Sequence, residues 1–207
     1  MEIIRSPYLT VRASIHIEIE PIKRSRFIGH ILPMTSKNIL QQHLEEVKRL
    51  TPGANHYCWA YQLYTDKLVQ FNDDGEPSGS AGRPILTYLA GQQIFDTLIV
   101  VARFFGGTKL GTGGLVRAYG SAASEVIALA QLQTITPTRA LWVKHSYALT
   151  ASIQSLLHEL SLTPTHPSYK EQVIFCLNIP DENWEEIKIK IVNAGQGNLQ
   201  ISKEKIK

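Results

Sequence analysis

Residues 98–114 read LIVVARFFGGTKLGTGG, and this stretch decides the fold of the first half of the chain. Its opening, LIVVARFF, is an almost unbroken apolar run between turn residues, the pattern of a central strand covered on both faces. The glycine-rich GGTKLGTGG that follows ends the strand in a tight turn. A helix is predicted beyond it, over about 115–131. That helix is dense in small residues (Ala118, Gly120, Ser121, Ala122, Ala123, Ser124), which let a helix lie close to a sheet.

Working back from that core, residues 56–64 predict a strand with Tyr57, Trp59, Tyr61 and Leu63 on one face. Thr65-Asp66-Lys67 reads as a turn into a partner strand over 68–71, making a hairpin. Clean alternation over 11–20 predicts one half-buried strand, and 26–32 a second, ended by Pro33. Between them and the hairpin, Ile39, Leu40, Leu44, Val47 and Leu50 form a helical stripe, with Ser36 as N-cap and Pro52-Gly53 as the stop. A polar loop over 72–84 precedes a short helix over 85–90. The first domain, residues 1–134, is thus expected to be α+β, a mostly antiparallel sheet with helices on one face.

Thr134–Thr138, with Pro137, reads as a linker. The pattern then restarts. Strands are predicted over 140–147, 162–169, 172–179 and 198–202, and helices over 150–160 and 183–192, with Asp181 as a helix cap. The order βαββαβ over 138–207 is the ferredoxin-like split unit.

Composition bounds the function. Hydrophobic residues at 43% of 207 supply real cores and argue against wholesale disorder. A net charge of +3 allows a local nucleic-acid patch but not the strongly basic face of a dedicated DNA binder. Cys58 and Cys176 lie far apart in apolar runs, as reduced buried thiols do. No stretch approaches the roughly 20 apolar residues of a membrane helix, and the N-terminus lacks a signal-peptide core. A cytoplasmic protein with no membrane partner is expected.

Three segments carry chemistry. Asp73, Asp74 and Glu76 crowd around Gly75, and like charges this close need a cation, a basic side chain or N–H groups among them. The turn reads either as a cation or acid–base site or as a solvated turn whose carboxylates cap backbone N–H groups. Whether a metal binds there is left open by the residues, and the calcium-loop spacing is absent. Gly106, Gly107, Gly111, Gly113 and Gly114 open a helix, where exposed N–H groups and the helix dipole attract anions, with Lys109 and Arg117 adding charge. The same glycines also suit a plain strand-to-helix connection, and the P-loop, GxxxxGK followed by Ser or Thr, is not matched.

Arg103 interrupts an apolar strand and requires a partner: Asp74, Glu76 or a bound phosphate. His56 begins its strand beside the same group, and Lys23, Arg24 and Arg26 form a basic cluster. No Ser-His-Asp, Cys-His or zinc-like spacing is present, so no catalytic residue and no cofactor are assigned.

These segments resemble the IMPACT/YigZ family. The match runs through Gly82, Ile85-Leu86, Arg103-Phe104-Phe105-Gly106-Gly107 and Leu110-Gly111. It is joined by His56-Tyr57-Cys58-Trp59-Ala60, the Asp73-to-Pro77 turn and Arg24-to-Phe27. The resemblance implies a first domain with the fold of the second domain of ribosomal protein S-five and a ferredoxin-like second domain, a pairing found in elongation factor G. It therefore implies an RNA- or ribosome-binding factor linked to translation. Eukaryotic relatives act in translation initiation through an additional N-terminal domain. This sequence begins at the shared domain, so that pathway is not expected here. Two further readings stand beside it. One is an enzyme on a phosphorylated or nucleotide substrate, with Asp74 or Glu76 as base or metal ligand and Arg103 steadying charge. The other is a protein–protein interaction module.

Overall fold

The computed structural model describes residues 5–206. In chain order the elements are β1 (Tyr8–Val11), β2 (Ile15–Glu18), β3 (Arg26–Pro33), α1 (Leu40–Leu50), β4 (His56–Gln62), β5 (Val69–Asn72), α2 (Gly82–Gly91) and β6 (Thr97–Phe104). They continue with α3 (Thr112–Leu129), β7 (Leu132–Ile135), β8 (Thr138–His145), α4 (Thr150–Glu159), β9 (Thr165–Tyr169), β10 (Val173–Pro180), α5 (Trp184–Ala194) and β11 (Leu199–Ser202). The chain forms two compact units. One is Tyr8–Ile135; the other takes the chain from Thr136 onward together with residues 5–7.

In the first unit five antiparallel strands lie in the order β2-β3-β6-β4-β5. The apolar run of β6 is central, paired along its length with β3 and β4. Its Ile99 and Val101 join Ile85, Leu89, Leu115 and Val126 of α2 and α3 in one core, while Leu98 and Val100 pack with Val47 of α1 on the opposite face. The sheet is therefore covered on both sides, as the apolar run over 98–105 implied, and not by helices on one face alone. A strand apolar at every position needs two covers. Gly29 of β3 allows the close approach of α3, since a Cβ there would sit 2.8 Å from the Ala122 carbonyl oxygen. Ser36 does cap the first helix, its Oγ accepting the Asn38 N–H at 3.3 Å through a 3₁₀ turn that leads into α1.

Two local expectations change. The single strand over 11–20 is two: β1 pairs with β7, the chain bends at 12–14, and β2 pairs with β3. Alternation survives the bend because Val11, Ile15, Ile17 and Ile19 all face one core, and periodicity reports facing rather than pairing. Thr134 and Ile135, expected in a linker, belong to β7. Helix α2 also starts at Gly82, earlier than expected, with Pro84 in its first turn where no N–H is needed.

The second unit is ferredoxin-like, its antiparallel sheet ordered β11-β8-β10-β9. Helices α4 and α5 bury Ile153, Leu157, Ile187 and Ile191 against Leu141, Val143, Phe175 and Leu177 of one sheet face. Asp181 does not cap α5. Its buried carboxylate accepts from Arg5 Nε at 2.8 Å and Arg139 Nε at 2.9 Å. Burial pushes that carboxyl up, but the two guanidiniums outweigh it and hold it below its ordinary value. A buried charge finds ionic partners before it serves as a cap.

Candidate functional site

The turn after β5 is built from inside. Asp73 Oδ1 accepts the N–H groups of Ala81 (3.0 Å) and Gly82 (2.8 Å), and its Oδ2 accepts that of Gly79 (2.8 Å). A side chain distant in sequence thus caps α2, whose own N-cap residue, Ala81, offers no side-chain acceptor. Burial raises the Asp73 carboxyl, yet the three N–H groups lower it further, and the net value lies below normal. Gly82 makes this possible: a Cβ there would lie 2.8 Å from the Asn72 carbonyl oxygen.

Asp74 adopts φ +40° and stays exposed, its Oδ2 accepting the Tyr57 N–H at 2.6 Å. Its carbonyl oxygen lies 2.8 Å from His56 Nδ1. Cys58 donates to the Asp73 carbonyl at 3.0 Å. Burial pushes the Cys58 thiol up to about 12, so it is no nucleophile.

Glu76 closes the cluster. Its Oε1 lies 2.5 Å from Arg103 Nη1 and accepts from the Tyr119 hydroxyl at 2.7 Å. The Arg103 guanidinium also sits over the rings of Phe27 and Phe105, at 5.6 and 5.5 Å. Ser25 Oγ bridges Arg103 Nη2 (3.4 Å) and the Gly106 N–H (3.2 Å). Arg103 is 5% exposed. Tyr119 is pushed far up, first by burial and then by Cys58 and Glu76, so it stays a protonated donor.

His56, Asp73, Asp74, Glu76, Arg103 and Gly106 therefore converge, and each is engaged with another residue of the chain. No group of three or more His, Cys, Asp and Glu side chains suited to a metal ion occurs among the described residues.

The remaining basic candidates lie apart. Arg26 pairs with Glu18 at 2.6 and 2.9 Å. Lys23 and Arg24 occupy a turn with φ +46° and +66°, bridged by Ile22 and Ser25. Gly106 packs under that turn; a Cβ there would fall 2.0 Å from the Arg24 carbonyl carbon. Gly107 and Gly111 hold φ +83° and +71°, and Gly111 is the N-cap of α3, with Thr112, Gly113 and Gly114 in its first turn. Lys109 is exposed beside them.

Arg117 lies elsewhere, in a groove of about 550 Å³ between α2 and α3. The groove is also lined by Arg83, Thr87, Tyr88, Val116 and Ser121. Tyr88 rests on bare backbone at Gly120, where a Cβ would be 3.0 Å from its ring, and stays 38% exposed. Neither guanidinium forms an ion pair among the described residues. Sequence reasoning missed Arg83. A lone arginine at a helix start carries no signal until the helix facing it is known.

The Impact N-terminal domain model matches residues 23–127, which hold this whole cluster and groove, and a domain of unknown function (DUF1949) matches 143–198. The chain belongs to the IMPACT family. Among IMPACT family members it is 31% identical to YigZ of Escherichia coli, over 88% of this chain and 91% of that one. It is 36% identical to YvyE of Bacillus subtilis, over 81% of this chain and 77% of that one. The Xenopus tropicalis protein IMPACT-A matches only 47% of this chain, over 32% of its own length, at 34% identity. A crystal structure of a hypothetical protein superposes with a TM-score of 0.66 at 29% identity, covering 98% of this chain and 99% of that one. None of the described helices is long and apolar enough to cross a membrane.

Proposed function

We propose that this IMPACT family protein is a non-enzymatic RNA- or ribosome-binding factor in the control of translation, and that the α2/α3 groove takes the sugar–phosphate backbone. The observation that carries the reading is the pair Arg83 and Arg117, one from each helix, lining one groove without carboxylate partners. Guanidiniums not engaged within the fold are the groups that hold phosphates. The half-exposed Tyr88 offers a ring, and Thr87 and Ser121 offer hydroxyls. The engagement of Asp73, Glu76 and Arg103 within the fold supports a non-enzymatic role, because these side chains are already committed to helix capping and ion pairing.

The test is filter binding to ribosomes and to a structured RNA at two salt concentrations. Affinity should fall steeply with salt, and R83Q/R117Q should weaken binding to both. No binding, or binding that ignores salt, overturns the reading.

A further inference from the structure

The second unit carries a different surface. Along β8, Leu141 and Val143 point into the core beneath α4 and α5. Alternation sends Trp142 and Lys144 to the other face. There Trp142 pairs in register with Cys176 of β10 and Ser202 of β11, and Lys144 pairs with Ile174 and Gln200. Trp142 is only partly buried, and Asn178 and Gln200 are exposed.

The neighbouring strand is distorted where it meets that ring. The β9–β10 ladder shifts register between Ile174 and Cys176, and His166 takes φ +51°. A left-handed non-glycine residue is strained. A bulge of this kind redirects a side chain. Here the imidazole stacks on Trp142 at 6.2 Å and 25°. From the C-terminal segment, the Lys205 ammonium lies 5.8 Å over the same indole. A pocket of about 400 Å³ is lined by Lys144 and Ile174 with Lys170, Glu171 and Gln172.

The charges sort by location. On α5, Glu185 and Glu186 are matched by Lys188 and Lys190. At the pocket and beside the indole, Lys144, Lys170 and Lys205 outnumber Glu171 and Glu204. An accessible indole among ammonium groups on an open sheet suits unpaired bases and the phosphates between them.

We infer that this sheet face binds single-stranded RNA, with Trp142 and His166 as the stacking platform and Lys144, Lys170 and Lys205 on the phosphates. A base arriving on Trp142 takes the place of the Lys205 ammonium and leaves it beside the following phosphate. That the strand is RNA rests on the function proposed above; the surface itself does not depend on the groove.

The experiment uses the full chain and a fluorescein-labelled oligouridylate of about 12 nucleotides, within the span of such sites. Anisotropy should show W142A weakened roughly tenfold or more, and W142F much closer to wild type, because a phenyl ring still stacks. In nitrogen-15 spectra, one of the three tryptophan indole signals should move on RNA addition. It should be the signal missing from W142F, whose remaining spectrum also reports folding.

The proposal is overturned if W142A binds as wild type or if a different indole moves. It is also overturned if oligodeoxythymidylate or polyglutamate moves the same indole at equal concentration, which would mark a DNA or an acidic-protein surface. R83Q/R117Q should leave the Trp142 shift intact. Loss of ribosome binding in that variant with a silent Trp142 sinks this inference alone. A responsive Trp142 with an indifferent groove variant sinks the groove alone.

Discussion

Arg103 Nη1 and Glu76 Oε1 lie 2.5 Å apart, with both side chains almost wholly shielded from water. The pair ties the end of β6 to the acidic turn, and Tyr119 of α3 joins it through the same oxygen. Removing one partner leaves a buried charge uncompensated. Glu76→Gln should therefore lower unfolding free energy by about 3–5 kcal/mol, read from urea denaturation. Replacing both together, as in Arg103→Met with Glu76→Leu, should cost less than the single change. A larger loss in the double variant would refute the account.

Asp73 predicts an acid limb of stability. Its carboxyl titrates below normal in the folded chain, since three backbone N–H groups outweigh the effect of burial. The stabilisation is complete above the unfolded value of about 3.9 and disappears as pH falls through the folded value. Asp73→Ala should lose about 1–2 kcal/mol at pH 7, within the range for a lost helix cap. The loss should shrink toward pH 3, as measured by urea unfolding at both pH values.

His30 adds a second, higher window. It is buried on β3 beside His16, and burial first, then His16, hold it down to about 4. The unfolded histidine binds its proton near 6.5, so folding opposes protonation between those values. Stability should decline as pH falls from about 6.5 to 4. His30→Leu should flatten that decline.

Two neighbouring glycines should respond differently to alanine. Gly106→Ala would drive a Cβ into the Arg24 backbone. It should cost at least the roughly 1–3 kcal/mol of overpacking. Gly107 has φ +83° but open space around it, so Gly107→Ala should cost only about 1–2 kcal/mol for the left-handed conformation. Thermal unfolding of the two variants ranks them.

Salt dependence tests the groove quantitatively. Each phosphate contact contributes about 0.7 (single strand) to 0.9 (duplex) to the slope of log affinity against log salt. Removing Arg83 and Arg117 should flatten the slope by roughly twice that. An unchanged slope would take both arginines out of the interface.

Much of this was legible in the sequence because period and burial agree. The apolar β6 run, the Ser36 cap and the βαββαβ order all follow from local rules. So did the need of Arg103 for a partner, with Glu76 among the candidates. What escaped depends on contacts between distant segments. Strand β7 is short and exposed along most of its length, so it has no alternation to show. The capping role of Asp73 toward α2 depends on how the loop folds back, and Arg83 gained meaning only from α3 opposite it. His166 carries no pattern at all, because a bulge is visible only in a ladder.

The pairing of β1 with β7 has a further effect. Tyr8 stands opposite Ile135, so the first unit's chain enters and leaves at adjoining points. The segment just before the entry, with Arg5 bound to Asp181, belongs to the ferredoxin-like unit. Topologically the first unit is a cassette inserted within the other, and a short bridge from residue 7 to residue 136 would excise it. A fragment cut simply at residue 136 would instead discard Arg5 and leave Asp181 to Arg139 alone.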